Sequence, residues 1–191
     1  MGTAYRRFAN KDELIEAILV QRVEELEAVL TEALAQPDPW EGLVLYLDRS
    51  LAIQAKDRGM AQVLSGHYAP PQRYDWGRDR LAPLVNRVAD RAREAGLLRP
   101  DVTGTDLVLL QVALTALAAT AQARPVIEGR DDIVTIYRRY LWIFLDGLRP
   151  GRDGVSALPV PALTTEQTHI LLGSPPLEDA QGRGRRPCTG V

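Results

Sequence analysis

The chain has 191 residues, 46% hydrophobic and 25% charged, with a formal net charge of −2. That length suits one domain, or one and a fraction, able to bury a core without metal or disulfide support. The single cysteine, Cys188, excludes an internal disulfide framework and points to a reducing cytoplasm; the polar, basic first residues are not expected to act as a secretory leader; and the charge balance carries no overall signature of a nucleic-acid binder.

The first long helix is predicted over 10–35. Asn10 can cap it, with Glu13 at capping-box spacing, and Ile15, Ile18, Leu19, Val23, Leu26, Leu30 and Leu34 recur with a helical period. Gln36-Pro37-Asp38 ends it, and a second helix opens with Asp38 as cap, Pro39 in the first turn and Glu41 three past the cap. Trp40, Leu43, Val44, Leu47 and Leu51 form its core stripe. A short helix is expected over 58–64, then a loop over 67–77 rich in turn formers and aromatics. Asp79 to Ala95 reads as helix, stopped by Gly96, with Pro83 in or near its first turn.

Thr103, with Asp106 three residues on, is a plausible cap for a helix over 106–122. This helix is apolar nearly all round, so both of its faces are expected to be buried. Its most apolar part, Leu107 to Ala121, contains Gln111, Thr115 and Thr120 and is shorter than a bilayer span. A connector over 124–130 leads to a last long helix over 131–148, with Ile133, Ile136, Tyr137, Leu141, Phe144, Leu145 and Leu148 apolar. From Arg149 onward Pro and Gly dominate. Residues 151–191 read as a mostly flexible tail, 164–172 is compatible with one short helix, and the Gly-Arg-Gly-Arg-Arg-Pro run at 182–187 with disorder. No strand pattern and no internal repeat is present, so the fold class is all-α.

The run Gly2-Thr3-Ala4-Tyr5-Arg6-Arg7-Phe8, followed by Asn10-Lys11-Asp12-Glu13-Leu14, resembles the junction between recognition helix and first core helix in TetR-type repressors. The turn Gly96-Leu97-Leu98-Arg99-Pro100-Asp101 before a buried helix and the closing Asp146-Gly147-Leu148-Arg149-Pro150 agree in architecture. The resemblance implies a TetR-like body of six to seven main helices. It divides the chain into a helix-turn-helix remnant (1–9), a ligand-binding and dimerisation domain (10–150) and the tail (151–191). By the same resemblance Thr3 and Tyr5 approach the DNA backbone or a base edge, Arg6 sits at the groove, and Lys11 holds a phosphate at a helix N-terminus. Phe8 anchors head to body. The helices that precede this junction in the family are not in the sequence. A start assigned too late, a shortened chain and a naturally headless protein all fit, the first two being favoured. One turn of recognition helix is not an independent folding unit, so this chain alone is expected not to bind a specific operator.

The family implies a small effector between the middle helices, sensed by a repressor whose two heads then change their spacing. Candidate lining residues are Tyr46, Met60, His67, Tyr68, Trp76, Gln111, Thr115 and Tyr137, of which about half are expected to line a cavity. Gln111 and Thr115 are i, i+4 and share a helix face. Buried there, they need partners: a ligand, the other subunit or a backbone carbonyl. Plain packing readings stand beside these: Trp40 and Trp142 as core, His67 as a surface histidine, Tyr137 as core or interface. The absence of a charged pocket candidate favours an uncharged, apolar or aromatic effector.

The helices over 106–122 and 131–148 are apolar beyond a single stripe, and Ala113, Ala116, Ala118, Ala119 and Ala121 permit close approach. They are expected to form half of a four-helix bundle completed by a second copy in a C2 homodimer, the alternative being an internal pair covered by earlier helices. Catalytic signals are thin: two histidines, His67 and His169, a cysteine in the tail, and no phosphate loop, His-x-x-x-His or Cys-x-x-Cys. The sequence therefore predicts a non-enzymatic regulator of the cytoplasm with no cofactor, metal or membrane partner, and operator DNA as partner only where the head is present. The alternative is a headless dimerising or ligand-sequestering module that does not bind DNA.

Overall fold

A computed structural model of the chain describes residues 11–56, 71–123, 132–151, 158 and 161–165. These hold five helices: α1 (Lys11–Ala35), α2 (Pro39–Lys56), α3 (Pro71–Glu94), α4 (Gly104–Ala123) and α5 (Ile136–Leu148), the last preceded by a 3-10 turn, Ile133–Thr135. No strand occurs among the described residues. The fold is all-α, with somewhat fewer helices described than the six to seven expected.

α2 is the hub, packed against α1, α3, α4 and α5. Its Leu43, Leu47 and Leu51 are buried together with Leu30 and Ala33 of α1, Val85, Val88, Ala89 and Ala92 of α3, Leu107, Leu114 and Ala118 of α4, and Leu141 and Leu145 of α5. The helix directions follow from the polar ties. α1 and α3 run the same way, because Glu27 pairs with Arg80 while Arg91, a few turns on, donates to the Leu34 and Gln36 carbonyls at 2.6 and 3.0 Å. Those carbonyls are among the acceptors that a helix C-terminus leaves unpaired. α5 runs against α2: Arg138 near its start pairs with Asp48 at 2.8 and 2.9 Å, and Arg149 past its end lies 4.0 Å from the Trp40 ring centroid.

The helix ends follow from local chemistry. The Asp38 carboxylate accepts from the Trp40 and Glu41 amides at 2.7 and 3.4 Å, which makes it the cap of α2. Asp106 accepts from both the amide and the hydroxyl of Thr103, at 2.7 and 2.8 Å, closing a capping box at the start of α4. Gly96 takes φ +70°, with Leu97 N–H donating to the Ala92 carbonyl and Gly96 N–H to the Arg93 carbonyl, both at 2.9 Å. This Schellman geometry ends α3 at the glycine that the sequence marks as its stop.

Several expectations are corrected. α3 starts at Pro71, so residues 71–77, expected as loop, are helical. Pro71 suits a first turn, and Gly77 is buried against Val23 of α1, so packing overrides the turn formers. Pro83 consequently lies inside the helix, at an exposed position, rather than in its first turn. The last helix opens with a 3-10 turn and becomes α-helical at Ile136. The expected helix over 58–64 and residues 67–70 of the expected loop lie outside the described residues.

α4 is 20 residues long, enough by length and composition to cross a membrane, and thus longer than the stretch from Leu107 to Ala121. It packs against α2, α3 and α5 and buries one side through Leu107, Gln111, Leu114, Thr115 and Ala118. Its other side, with Val112, Ala113, Ala116 and Thr120, is exposed in the single chain, contrary to burial on both faces. Trp142, expected in the core, is 52% exposed. Tyr137, Leu141 and Leu145 fill the inward stripe of α5, and position 142 lies about 100° round the helix from 141. Beyond α5, the Thr105 hydroxyl donates to the Leu163 carbonyl at 2.7 Å, so residues 161–165 lie against the start of α4.

Gly42 sits where α2 crosses α1, and a Cβ there would overlap the Ala33 carbonyl oxygen, a backbone atom that cannot rotate away. Gly42→Ala is therefore expected to destabilise by about 1–3 kcal/mol. Gly96→Ala, which forces a side chain into positive φ, is expected to cost about 1 kcal/mol. Urea-unfolding midpoints read both; a Gly42→Ala midpoint at or above the parent's would refute the close crossing.

Candidate functional site

Between α2 and α4, which run the same way, a seam of uncharged polar side chains interrupts the leucine core. α2 supplies Tyr46, Ser50 and Gln54, spaced i, i+4 and i+8; α4 supplies Gln111 and Thr115, spaced i, i+4. Both spacings keep their residues on one helix face, so the two rows meet. Gln111 is the junction: its Nε2 donates to Tyr46 Oη at 2.6 Å, and its Oε1 accepts from Ser50 Oγ and Gln54 Nε2, each at 2.8 Å. Thr115 Oγ1 donates to Gln54 Oε1 at 3.2 Å, and Ser50 Oγ is also 2.5 Å from the Tyr46 carbonyl. Further along, Gln122 Nε2 donates to the Ala55 carbonyl at 2.6 Å.

Exposure here is 0% for Ser50, 4% for Tyr46, 5% for Gln111 and 8% for Thr115, so these groups satisfy one another rather than water. Gln54 and Gln122 are half-buried and form the more open end. Burial pushes the Tyr46 phenol well above its ordinary value, so Tyr46 stays neutral at physiological pH. Burial also raises Tyr137, with the charge of Arg138 opposing. With no charged member among its described residues, the seam suits uncharged polar groups better than ions. Ser50 has no base beside it, and its hydroxyl faces a backbone carbonyl and an amide. Among the described residues no group of three or more His, Cys, Asp or Glu could hold a metal ion.

Of the sequence candidates, the structure brings Tyr46, Gln111 and Thr115 together. Tyr137 is buried on α5 and makes no hydrogen bond to the seam. Trp76 lies on helical backbone in α3 and Lys11 opens α1, their side chains falling outside the described part. Met60, His67, Tyr68, Thr3, Tyr5 and Arg6 lie outside the described residues. Sequence reasoning missed Ser50 and Gln54, although the i, i+4 repeat from Tyr46 across an otherwise leucine-rich face was a usable signal. Two surface hollows lie apart from the seam: about 530 Å³ at the start of α5, beside Ile136, Arg139 and Tyr140, and about 260 Å³ between Trp142 and the outer face of α2 at Val44, Leu45 and Asp48.

A second feature is the outer surface of α4 and α5. Tyr140, Ile143 and Phe144 are 43–52% exposed and Val112 is 38% exposed, beside the small exposed residues Ala113, Ala116 and Gly147.

The crystal structure of the TetR transcriptional regulator SCO0520 from Streptomyces coelicolor is similar to this fold, with a TM-score of 0.58 and 28% identity over 78% of this chain and 80% of that one. The family model of the SbtR-like transcriptional regulator C-terminal domain matches residues 38–150. The chain belongs to the TetR family of transcriptional regulators. No curated protein matches the sequence. The matched span takes in α2 to α5, and so both walls of the seam and the whole exposed apolar stripe of this TetR-family chain.

Gln111→Leu should strand the Tyr46, Ser50 and Gln54 groups and destabilise by about 1–3 kcal/mol, read by urea unfolding. The pH response has a definite sign. Below pH 10 the Tyr46 phenol is neutral in both states; above it the unfolded chain ionises while the folded chain does not, so stability falls as pH rises. Tyr46→Phe should flatten that alkaline arm. An unchanged alkaline slope in Tyr46→Phe would contradict the assignment.

Proposed function

We propose that this chain is the sensing and dimerising body of a TetR-type repressor that responds to a small uncharged effector. The observation that carries the sensing reading is the neutral polar seam at Tyr46, Ser50, Gln54, Gln111 and Thr115, set in a leucine core within the span matched by the family model. A few placed polar groups among apolar walls is the usual composition of a ligand site in a helical bundle. In this reading Met60, His67, Tyr68 and Trp76 are further effector contacts, and Tyr137 serves the core. No group carries out catalysis and no cofactor is needed.

The exposed stripe of Val112, Tyr140, Ile143 and Phe144 supports a homodimer, because a contiguous apolar face on a soluble chain marks an interaction surface. A second copy laid against α4 and α5 completes a four-helix bundle, with Ala113, Ala116 and Gly147 allowing close approach. DNA contact belongs to the helix-turn-helix ahead of α1, with Thr3, Tyr5, Arg6 and Lys11 as its junction residues. Effector binding then shifts the population between two head spacings, by an amount set by the effector's differential affinity for them. The setting is the cytoplasm.

Sedimentation equilibrium tests the assembly: a dimer is expected at micromolar concentration, and Tyr140→Glu with Phe144→Glu should weaken it at least about 100-fold, to a folded monomer. A parent chain that is monomeric at that concentration would overturn the dimer reading and, with it, the repressor.

A further inference from the structure

We propose that the effector of this site carries an uncharged carbonyl-type acceptor, which docks on Thr115 and Gln54; this rests on the seam being the sensing pocket. The inference comes from following each hydrogen through the seam. With Gln111 Nε2 directed at Tyr46, the Tyr46 hydroxyl hydrogen has no acceptor. Meanwhile the one hydrogen of Ser50 faces two acceptors, the Tyr46 carbonyl at 2.5 Å and Gln111 Oε1 at 2.8 Å. The same heavy-atom positions accept both glutamine amides turned end for end, since amide oxygen and nitrogen occupy equivalent places. Tyr46 then donates to Gln111, whose two N–H groups serve Ser50 and Gln54. Ser50 gives its hydrogen to the Tyr46 carbonyl, and Gln54 donates to Thr115. The Tyr46, Ser50 and Gln111 hydrogens then each have an acceptor, and of the four most buried groups only Thr115 keeps a hydrogen without one, so this setting is preferred.

The turned setting has a polarity. The chain of donors runs from Tyr46 through Gln111 and Gln54 to Thr115, toward the open end, and what remains there is the Thr115 hydroxyl hydrogen and the second N–H of Gln54. Thr115 is i, i+4 to Gln111, and its Oγ1 lies within 3.2 Å of the Gln54 amide, so one oxygen atom with two lone pairs can accept from both. No Lys, Arg, Asp or Glu belongs to the seam. Among the described residues a carboxylate would be desolvated without a countercharge and an ammonium without an anion to face it. The complementary group is a neutral ketone, ester or amide carbonyl on an apolar body.

The experiment uses four probes that share one ring: acetophenone, toluene, benzoate and benzylammonium. Each is titrated into the full chain while the side-chain amide signals of Gln54 and Gln111 are followed by NMR. Acetophenone should bind at least fivefold tighter than the other three and shift the Gln54 amide protons, whereas toluene leaves them in place. Thr115→Val should erase the acetophenone preference and Thr115→Ser should keep it; the wild-type Gln54 shift decides the matter should the valine variant not fold. Equal binding of toluene and acetophenone, or tightest binding of either ion, overturns the carbonyl inference and leaves the sensing pocket intact. No binding of any probe at millimolar concentration overturns both.

Discussion

The Gln111 amide is the constraint on which the middle of this molecule depends. A side chain with two donors and a two-lone-pair acceptor, only 5% exposed on the most apolar helix of the chain, tolerates few arrangements. It must meet Tyr46, Ser50 and Gln54 together, and those three share a face of α2. Leucine contacts are less directional than hydrogen bonds and discriminate less between registers of α4 on α2. The amide junction does not, because each alternative register strands a buried polar group. One residue thereby sets the register of α4 on α2 and orients the outward face of α4.

That orientation explains the unequal faces of α4 and α5. With Gln111 and Thr115 turned to α2, and Leu107, Leu114 and Ala118 in the core, Val112, Ala113 and Ala116 have no direction left but outward. On α5 the inward stripe of Tyr137, Leu141 and Leu145 likewise turns Tyr140, Ile143 and Phe144 away. Trp142 is a different case. It lies on the flank toward α2, beside Val44, Leu45 and Asp48, next to the Arg138–Asp48 pair. The apolar surface of α5 is thus two surfaces on opposite flanks of one core stripe.

Much of this was legible in the sequence, and what was not has physical causes. The caps at Asp38 and Thr103 and the stop at Gly96 were readable because they depend only on neighbours within a few residues. The pairing of Gln111 with Thr115 was readable from spacing, and Tyr46 was already a candidate. The start of α3 was not, because the helical state of 71–77 depends on Gly77 meeting α1, a contact far away in sequence. Trp142 was misjudged because indole size favours burial whereas helix phase decides it, and phase requires knowing which residues face inward. Ser50 was overlooked because a small hydroxyl in a leucine run looks like tolerance until its partner on α4 is known.

The seam also bears on how a pocket in this bundle would reach α1. Tyr46 is one turn from Gly42, and Gly42 is the point where α2 crosses α1 with no room for a methyl group. α1 is held from the other side by Arg91 and Arg80 of α3. In the proposed reading, a ligand seated on Gln54 and Thr115 would act on α2 as a lever whose far end is gripped at that crossing. Since packed interfaces resist continuous deformation, such a displacement would pass into α1 rather than dissipate in side-chain rearrangement. α1 is the helix that leads to the segment resembling the DNA-binding junction. In the proposed reading the close crossing at Gly42 would serve as the rigid link from the seam toward that segment.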